Sequence, residues 1–274
     1  MQTDTKSAFN PALETQFETI KCSKEDKLAI ITLNRPEDGN ALNLQMAAEL
    51  SEAALACEHD ASIKAVLINA SGRFFCVGGD VKAMLGFGDK IKQQLKKMAD
   101  DLHQAISTFA RMESPIIIAV NGTAAGAGMS LAAIGDLVIA CESASFTMAY
   151  TKVGLSPDGS SSWYLPRLIG LRKTQELMYT NRVLNAVEAE QWGLVTRVVP
   201  DTEVFASAKD IASNIANGAS QSNRNVKKLL LQSSQNSLET QMEIEARYIS
   251  ACAGSANGQE GILAFTEKRQ AEFK

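Results

Sequence analysis

The stretch at 116–131 constrains this chain most. It is an apolar run, Ile116-Ile117-Ile118-Ala119-Val120, then Asn121-Gly122-Thr123-Ala124-Ala125-Gly126-Ala127-Gly128, then Met129-Ser130-Leu131. β-branched residues between Pro115 and Asn121-Gly122 predict a buried strand, and the small residues after it predict a turn into an Ala-rich helix. Such a turn leaves backbone N–H groups without intrahelical partners and aims them, with the positive end of the helix dipole, at whatever lies above. An anion belongs there. Two phosphate-binding motifs fail the test. A P-loop starting at Gly122 needs Gly and Lys where Ala127 and Gly128 stand, and a dinucleotide fingerprint starting at Gly126 needs Gly or Ala where Leu131 stands.

A second turn of the same kind occurs in Ser71-Gly72-Arg73-Phe74-Phe75-Cys76-Val77-Gly78-Gly79-Asp80-Val81-Lys82, where paired glycines admit a close backbone approach to a ligand. It follows an apolar strand at 65–68. Upstream, β-rich runs at 17–20 and 27–33 flank the polar stretch 22–26, which suits a hairpin loop, and Asn43 caps a helix with Ala47, Leu50, Ala54 and Cys57 on one face. A long amphipathic helix is expected over 90–111 and a strand over 136–140. The stretch 146–168 reads as irregular, with Ser160-Ser161-Ser162 as a helix start, and helices are expected at 202–217, 223–235, 237–250 and 259–273. Strands alternating with helices imply an α/β chain with a mostly parallel sheet and ligands at the carboxyl ends of its strands. Both glycine turns lie at such ends.

At 274 residues with 45% hydrophobic side chains, the chain can bury a large core as one domain with a helical appendage. A net charge of -4 gives no bulk attraction to nucleic acid or to an anionic membrane, so neither is expected as a partner. Lys90, Lys92, Lys96 and Lys97 cluster, but Asp89, Asp100 and Asp101 flank them, which marks a solvated helix face. Cys22, Cys57, Cys76, Cys141 and Cys252 are scattered and contain no C-x-x-C, so reduced thiols and no metal site are expected. Residues 1–11 show no apolar targeting segment, no run approaches the ~20 apolar residues of a membrane span, and the last three residues are no peroxisomal address. A cytoplasmic location is the expectation.

Gly78-Gly79-Asp80-Val81-Lys82, followed some forty residues later by Asn121-Gly122-x-Ala124-x-Gly126-x-Gly128, resembles the crotonase family of enoyl-CoA hydratases and isomerases. The resemblance covers nearly the whole chain. It includes Asn34-Arg35-Pro36 with Asn40-Ala41-Leu42-Asn43, then Leu165-Pro166-Arg167-Leu168, and Ala264-Phe265-Thr266-Glu267-Lys268-Arg269 at the end. What it implies is a crotonase-type ββα spiral core over 1–200, holding the acyl-CoA site, and a C-terminal helical trimerisation region over 201–274. The resemblance makes the Gly79 and Ala127 N–H groups an oxyanion hole for a thioester oxygen. Asp80, Val81 and Lys82 would line the CoA side, and Ala41 and Leu42 the adenine and pantetheine. Phe265 and Lys268 would approach CoA from a neighbouring subunit of a trimer or hexamer. Coenzyme A is part of the substrate, and no separate cofactor is implied.

Water addition in this family uses two glutamates, whose matching positions here hold Ser130 and Tyr150. Neither can trade protons with water as a carboxylate does. One acid remains in the region, Asp158 in Leu155-Ser156-Pro157-Asp158-Gly159. It resembles the acid of monofunctional enoyl-CoA isomerases and of the isomerases acting on ring-epoxidised phenylacetyl-CoA. Isomerisation needs one base that removes a proton and returns it elsewhere, so the expected function is an enoyl-CoA isomerase with Asp158 as base. The alternatives are a hydratase with atypical acids, a ring-rearranging CoA isomerase and a non-catalytic acyl-CoA-binding protein. Tyr150 is expected to touch substrate, with Met84, Leu85, Phe87, Leu155 and Trp163 as candidate acyl-pocket walls. Asp80 and Asp136 read as structural hydrogen-bonding groups, and His59 and His103 as ordinary helix residues.

Overall fold

The computed structural model describes residues 16–274; the reading of 1–11 lies outside them. The chain begins with β1 (Ile20–Glu25), β2 (Leu28–Leu33), α1 (Leu44–His59), β3 (Ala65–Ala70), α2 (Val81–Leu85) and α3 (Ile91–Arg111). It continues through β4 (Ile116–Val120), β5 (Thr123–Ala125), α4 (Ala127–Ala133), β6 (Leu137–Cys141), β7 (Ser145–Thr147), α5 (Ser161–Leu168) and α6 (Leu171–Thr180). It ends with β8 (Leu184–Asn185), α7 (Ala186–Trp192), β9 (Arg197–Val199), α8 (Val204–Ala216), α9 (Ser220–Ser233), α10 (Leu238–Gly254) and α11 (Ala256–Glu267). The main sheet has the order β1-β2-β3-β4-β6-β9, and only β1 runs antiparallel to its neighbour. A smaller sheet, β5-β7-β8, stands beside it. The central strands β3 and β4 are apolar and buried on both faces, as parallel strands covered by crossover helices must be.

Three local expectations need correcting. All but the last residue of the polar run 22–26 is strand: Glu25 pairs with Leu28, and the reversal is confined to Asp26 and Lys27, with Asp26 at φ 52. An edge strand carries polar side chains at no cost, so the polarity of 22–25 marks exposure and not a loop. Residues 116–131 do not pass from strand directly into helix. Thr123–Ala125 first pairs with Ser145–Thr147 as β5, and α4 starts only after Gly126. The stretch 146–168, expected to be irregular, contains the end of β7 and all of α5, whose start after Ser160 is where the serine run placed it.

The four helices expected from 202 onward are present, the first three within four residues of their expected ends, while the last begins at Ala256 and stops at Glu267, short of the expected 273. Helix α8 lies on the sheet, against β2, β3, β4 and β6, because Val204, Ala208, Ala212 and Ala216 present a buried stripe of mostly small residues. Beyond it α10 buries none of its residues and α11 only Ala264. Lys227 fastens α9 to the core, donating to the carbonyls of Phe109 (2.7 Å) and Ser114 (3.0 Å) and pairing with Asp136 (3.0 Å). Among the described residues no helix is long and apolar enough to cross a membrane.

Candidate active site

The two glycine turns meet. Cys76 N–H donates to Thr123 O (3.1 Å) and Ala125 N–H to Cys76 O (2.9 Å), which lays the 76–80 loop along β5. On its other side Leu42 N–H donates to Gly78 O (2.7 Å) and Asp80 N–H to Leu42 O (2.8 Å). This parallel bridge uses the groups flanking Gly79 and leaves the Gly79 N–H without a backbone acceptor among the described residues. Gly126 N–H donates to Thr147 O (2.9 Å), so the first open amide of α4 is that of Ala127. Gly78 has φ +104, which suits glycine, and a Cβ on Gly128 would come within 2.1 Å of the Cys76 carbonyl oxygen. The small residues thus let two unpaired N–H groups, of Gly79 and Ala127, line one cavity.

That cavity has a volume of about 610 Å³. Of the residues expected at the site, Leu42, Gly79, Val81, Ala127, Tyr150 and Asp158 line it together, with Met84 and Leu155 as apolar walls. Ala41, Asp80 and Lys82 border the loop without lining the cavity. The Ala41 carbonyl accepts from Arg35 Nη1 (2.5 Å). Asp80 accepts from Arg35 Nη2 (3.1 Å) through one oxygen and caps α2 by accepting from Ala83 N–H (3.0 Å) through the other. Its carboxylate therefore braces the loop, in the structural role its sequence context suggests. Phe265 and Lys268 lie at the end of α11 outside this cavity, Phe265 86% exposed. Leu85 points outward, Phe87 packs on the core, and Trp163 lines a neighbouring cavity. Sequence reasoning missed Leu95, Met98 and Leu102, which form the α3 wall. Their helical spacing was visible, but periodicity marks an inward face without saying what it faces. Lys96 and Lys97 pair with Asp100 and Asp101 on the solvated face, while Lys92 and Lys96 also border the cavity.

Ser130 and Tyr150 do not stand idle. Ser130 Oγ donates to the main-chain carbonyl of Asp158 (2.8 Å), Ser161 Oγ donates to the same oxygen (2.9 Å), and the Tyr150 hydroxyl lies 3.3 Å from it and 3.1 Å from Ser130 Oγ. Burial pushes the Tyr150 phenol well above its ordinary value, and the nearby Asp158 charge adds to this against the Ser130 hydrogen bond. It stays protonated and serves as a donor. The positions expected to lack catalytic carboxylates instead fix the backbone of the one acid in the cavity.

The Asp158 side chain meets a partner that the sequence analysis set aside. Oδ1 lies 2.6 Å from Nε2 of His103, on α3, and the two side chains remain about half exposed at 39% and 48%. His103 thus touches the acid without lining this cavity, and the 55-residue separation between the two explains why no local pattern joined them. His59 bonds to Leu55 O at the end of α1, and Asp136 accepts from Ile116 N–H (2.7 Å) at a strand end. Both match their expected structural roles.

Comparison with known proteins gives a family model described as enoyl-CoA hydratase/isomerase over residues 23–274. The chain is 34% identical to 1,2-epoxyphenylacetyl-CoA isomerase of Escherichia coli (strain K12), over 94% of this chain and 98% of that one. It is 32% identical to 4-chlorobenzoyl coenzyme A dehalogenase-2 of an Arthrobacter species, over 91% of each. The crystal structure of an enoyl-CoA hydratase from Polaromonas sp. JS666 superposes with a TM-score of 0.89 at 33% identity, over 93% of this chain and 99% of that one.

Proposed function

The chain belongs to the enoyl-CoA hydratase/isomerase family, and from that premise we propose that it shifts the double bond of a 3-enoyl-CoA to the 2-position. The observation that carries this reading is one carboxylate, Asp158, in a cavity walled by two unpaired N–H groups. Asp158 removes a proton from the carbon next to the thioester. The negative charge moves to the thioester oxygen, where the Gly79 and Ala127 N–H groups hold it; one such preorganised donor is worth about 2.7 to 4 kcal/mol. The carboxylic acid then returns the proton to the far end of the dienolate. Nothing is oxidised or reduced, so this chemistry calls for no redox group or metal. Ser130 and Tyr150 support isomerisation over hydration, because their hydroxyls are turned to the Asp158 carbonyl and supply no second acid.

A second reading rests on His103. A carboxylate 2.6 Å from an imidazole is also a nucleophile with a base beside it. On a halogenated aryl thioester, Asp158 would displace halide to form an aryl ester, and water deprotonated by His103 would hydrolyse that ester. The relative named 4-chlorobenzoyl coenzyme A dehalogenase-2 favours testing it.

We further infer an oligomer, trimer or hexamer, in which the exposed Leu230, Leu238, Ile249 and Phe265 of the C-terminal helices are covered, with Phe265 and Lys268 reaching a neighbour's CoA.

The test is an assay of the purified protein with a 3-enoyl-CoA, a 2-enoyl-CoA and 4-chlorobenzoyl-CoA, products being followed by mass. Conversion of the 3-enoyl ester at constant mass supports isomerisation. Gain of one water by the 2-enoyl ester, or chloride release without isomerisation, overturns it.

A further inference from the structure

Asp158 lines two cavities. The second, of about 440 Å³, is bounded by α3, the start of α5 and Leu231 of α9 and shares no other lining residue with the first. Trp163 and Tyr164 form its aromatic side, in edge-to-face contact with ring centroids 4.6 Å apart, and Ile106 adds apolar surface. Its polar groups are the hydroxyls of Ser107, Ser160 and Ser162, the His103–Asp158 pair, and Arg111. Arg111 makes no ion pair among the described residues.

Nearby groups do not neutralise that guanidinium. Asp136 acts electrostatically on Tyr164, but it is already held by Lys227 and by Ile116 N–H. Asp158 is taken by His103. Burial, then the Asp136 charge, holds the Tyr164 phenol up at about 12 against the pull of Arg111, so it is a donor and not an anion. The second cavity therefore carries one positive charge without an ion pair, the hydroxyls of Ser107 and Ser162, and an angled aromatic side, the Ser160 hydroxyl being taken by the Gly159 carbonyl.

The chemistry of the first cavity says what should reach the second. A base that works on the carbons beside a thioester touches the head of the acyl group, so whatever the acyl group carries further out lies beyond the base. The second cavity is the one that shares Asp158 with the first. We propose that this cavity is a subsite for the distal end of the acyl group, and that Arg111 selects acyl groups ending in a carboxylate, the mono-CoA thioesters of dicarboxylic acids. The inference rests on the acyl-CoA reading of the first cavity. A guanidinium and a carboxylate form paired charge-assisted hydrogen bonds, which an alkyl end cannot offer.

Saturated esters separate binding from turnover. Equilibrium affinities are measured by calorimetry for butanoyl-, hexanoyl- and octanoyl-CoA against succinyl-, adipoyl- and suberoyl-CoA, on the wild type and on Arg111→Gln and Arg111→Lys. In at least one matched pair the carboxylated ester is expected to bind about tenfold tighter. Arg111→Gln removes that preference and leaves the plain esters unchanged, and Arg111→Lys retains part of it. No preference at any chain length, or a preference that survives Arg111→Gln, overturns the subsite while leaving the CoA site standing. Failure of every CoA ester to bind, with a folded protein by circular dichroism, overturns the acyl-CoA reading and the subsite with it.

Discussion

One carbonyl oxygen, that of Asp158, gathers the hydroxyls of Ser130, Tyr150 and Ser161, and this convergence explains how a single acid is aimed without a second one beside it. Replacing Tyr150 by Phe keeps the ring and deletes one donor. The expected result is a three- to tenfold fall in kcat with KM little changed, about the worth of one hydrogen bond, measured on the 3-enoyl ester. Asp158→Asn removes the proposed base, and turnover should fall by about 10²-fold or more while CoA esters still bind. Away from the site, Glu49 is a buried carboxylate. Burial alone would raise its pKa, but hydrogen bonds from Thr19 and Gln45 side chains and from the Glu18 and Thr19 amides hold it below the usual carboxylate range. The unfolded chain then takes up the proton first on acidification. The stabilisation from Glu49 is complete above the ordinary carboxylate range and is lost as pH falls through the depressed value. Glu49→Gln should cost about 1–3 kcal/mol at neutral pH and much less in acid, as read from urea unfolding at the two pH values. Asp158 itself was legible in the sequence, as the one acid near the positions of two missing glutamates. Its contact with His103 was not.

At the scale of elements, α3 and α9 decide the most. Helix α3 turns Leu95, Met98 and Leu102 to the first cavity and His103, Ile106 and Arg111 to the second, so one helix wall serves both. Lys227 on α9 is buried, and burial pushes its ammonium below the ordinary lysine value against the opposing charge of Asp136. It satisfies two carbonyls near the end of α3 and the start of β4. Lys227→Met fills similar volume but leaves those carbonyls without their donor and Asp136, still held by the Ile116 N–H, without its counter-charge. A loss of about 2–3 kcal/mol is expected in denaturant unfolding, less than for a fully buried pair because Asp136 stays partly solvated. Helices with a clear apolar stripe, such as α1, α3 and α8, were legible from spacing. Helices α6 and α7 were not anticipated. They are short, and the turn between them follows a left-handed Asn181 at φ 52, a conformation that leaves only a weak trace in the sequence.

For the whole molecule, the apolar side chains left open on the C-terminal helices lead to an assembly prediction: light scattering should give a mass of three or six chains, and a monomer would remove the proposed role of Phe265 and Lys268 across a subunit boundary. The family, the mostly parallel sheet and the two turns carrying Gly79 and Ala127 were readable from sequence alone. The reason is that they depend on local chemistry: β-branched runs, glycines where a Cβ would collide, and a fixed order of short motifs. Only the tertiary structure joined His103 to Asp158, turned Ser130 and Tyr150 onto one carbonyl, and made Asp158 line a second cavity together with Arg111. Those contacts lie between elements far apart in the chain, and a helical repeat states which face turns inward but not which residue will stand opposite it.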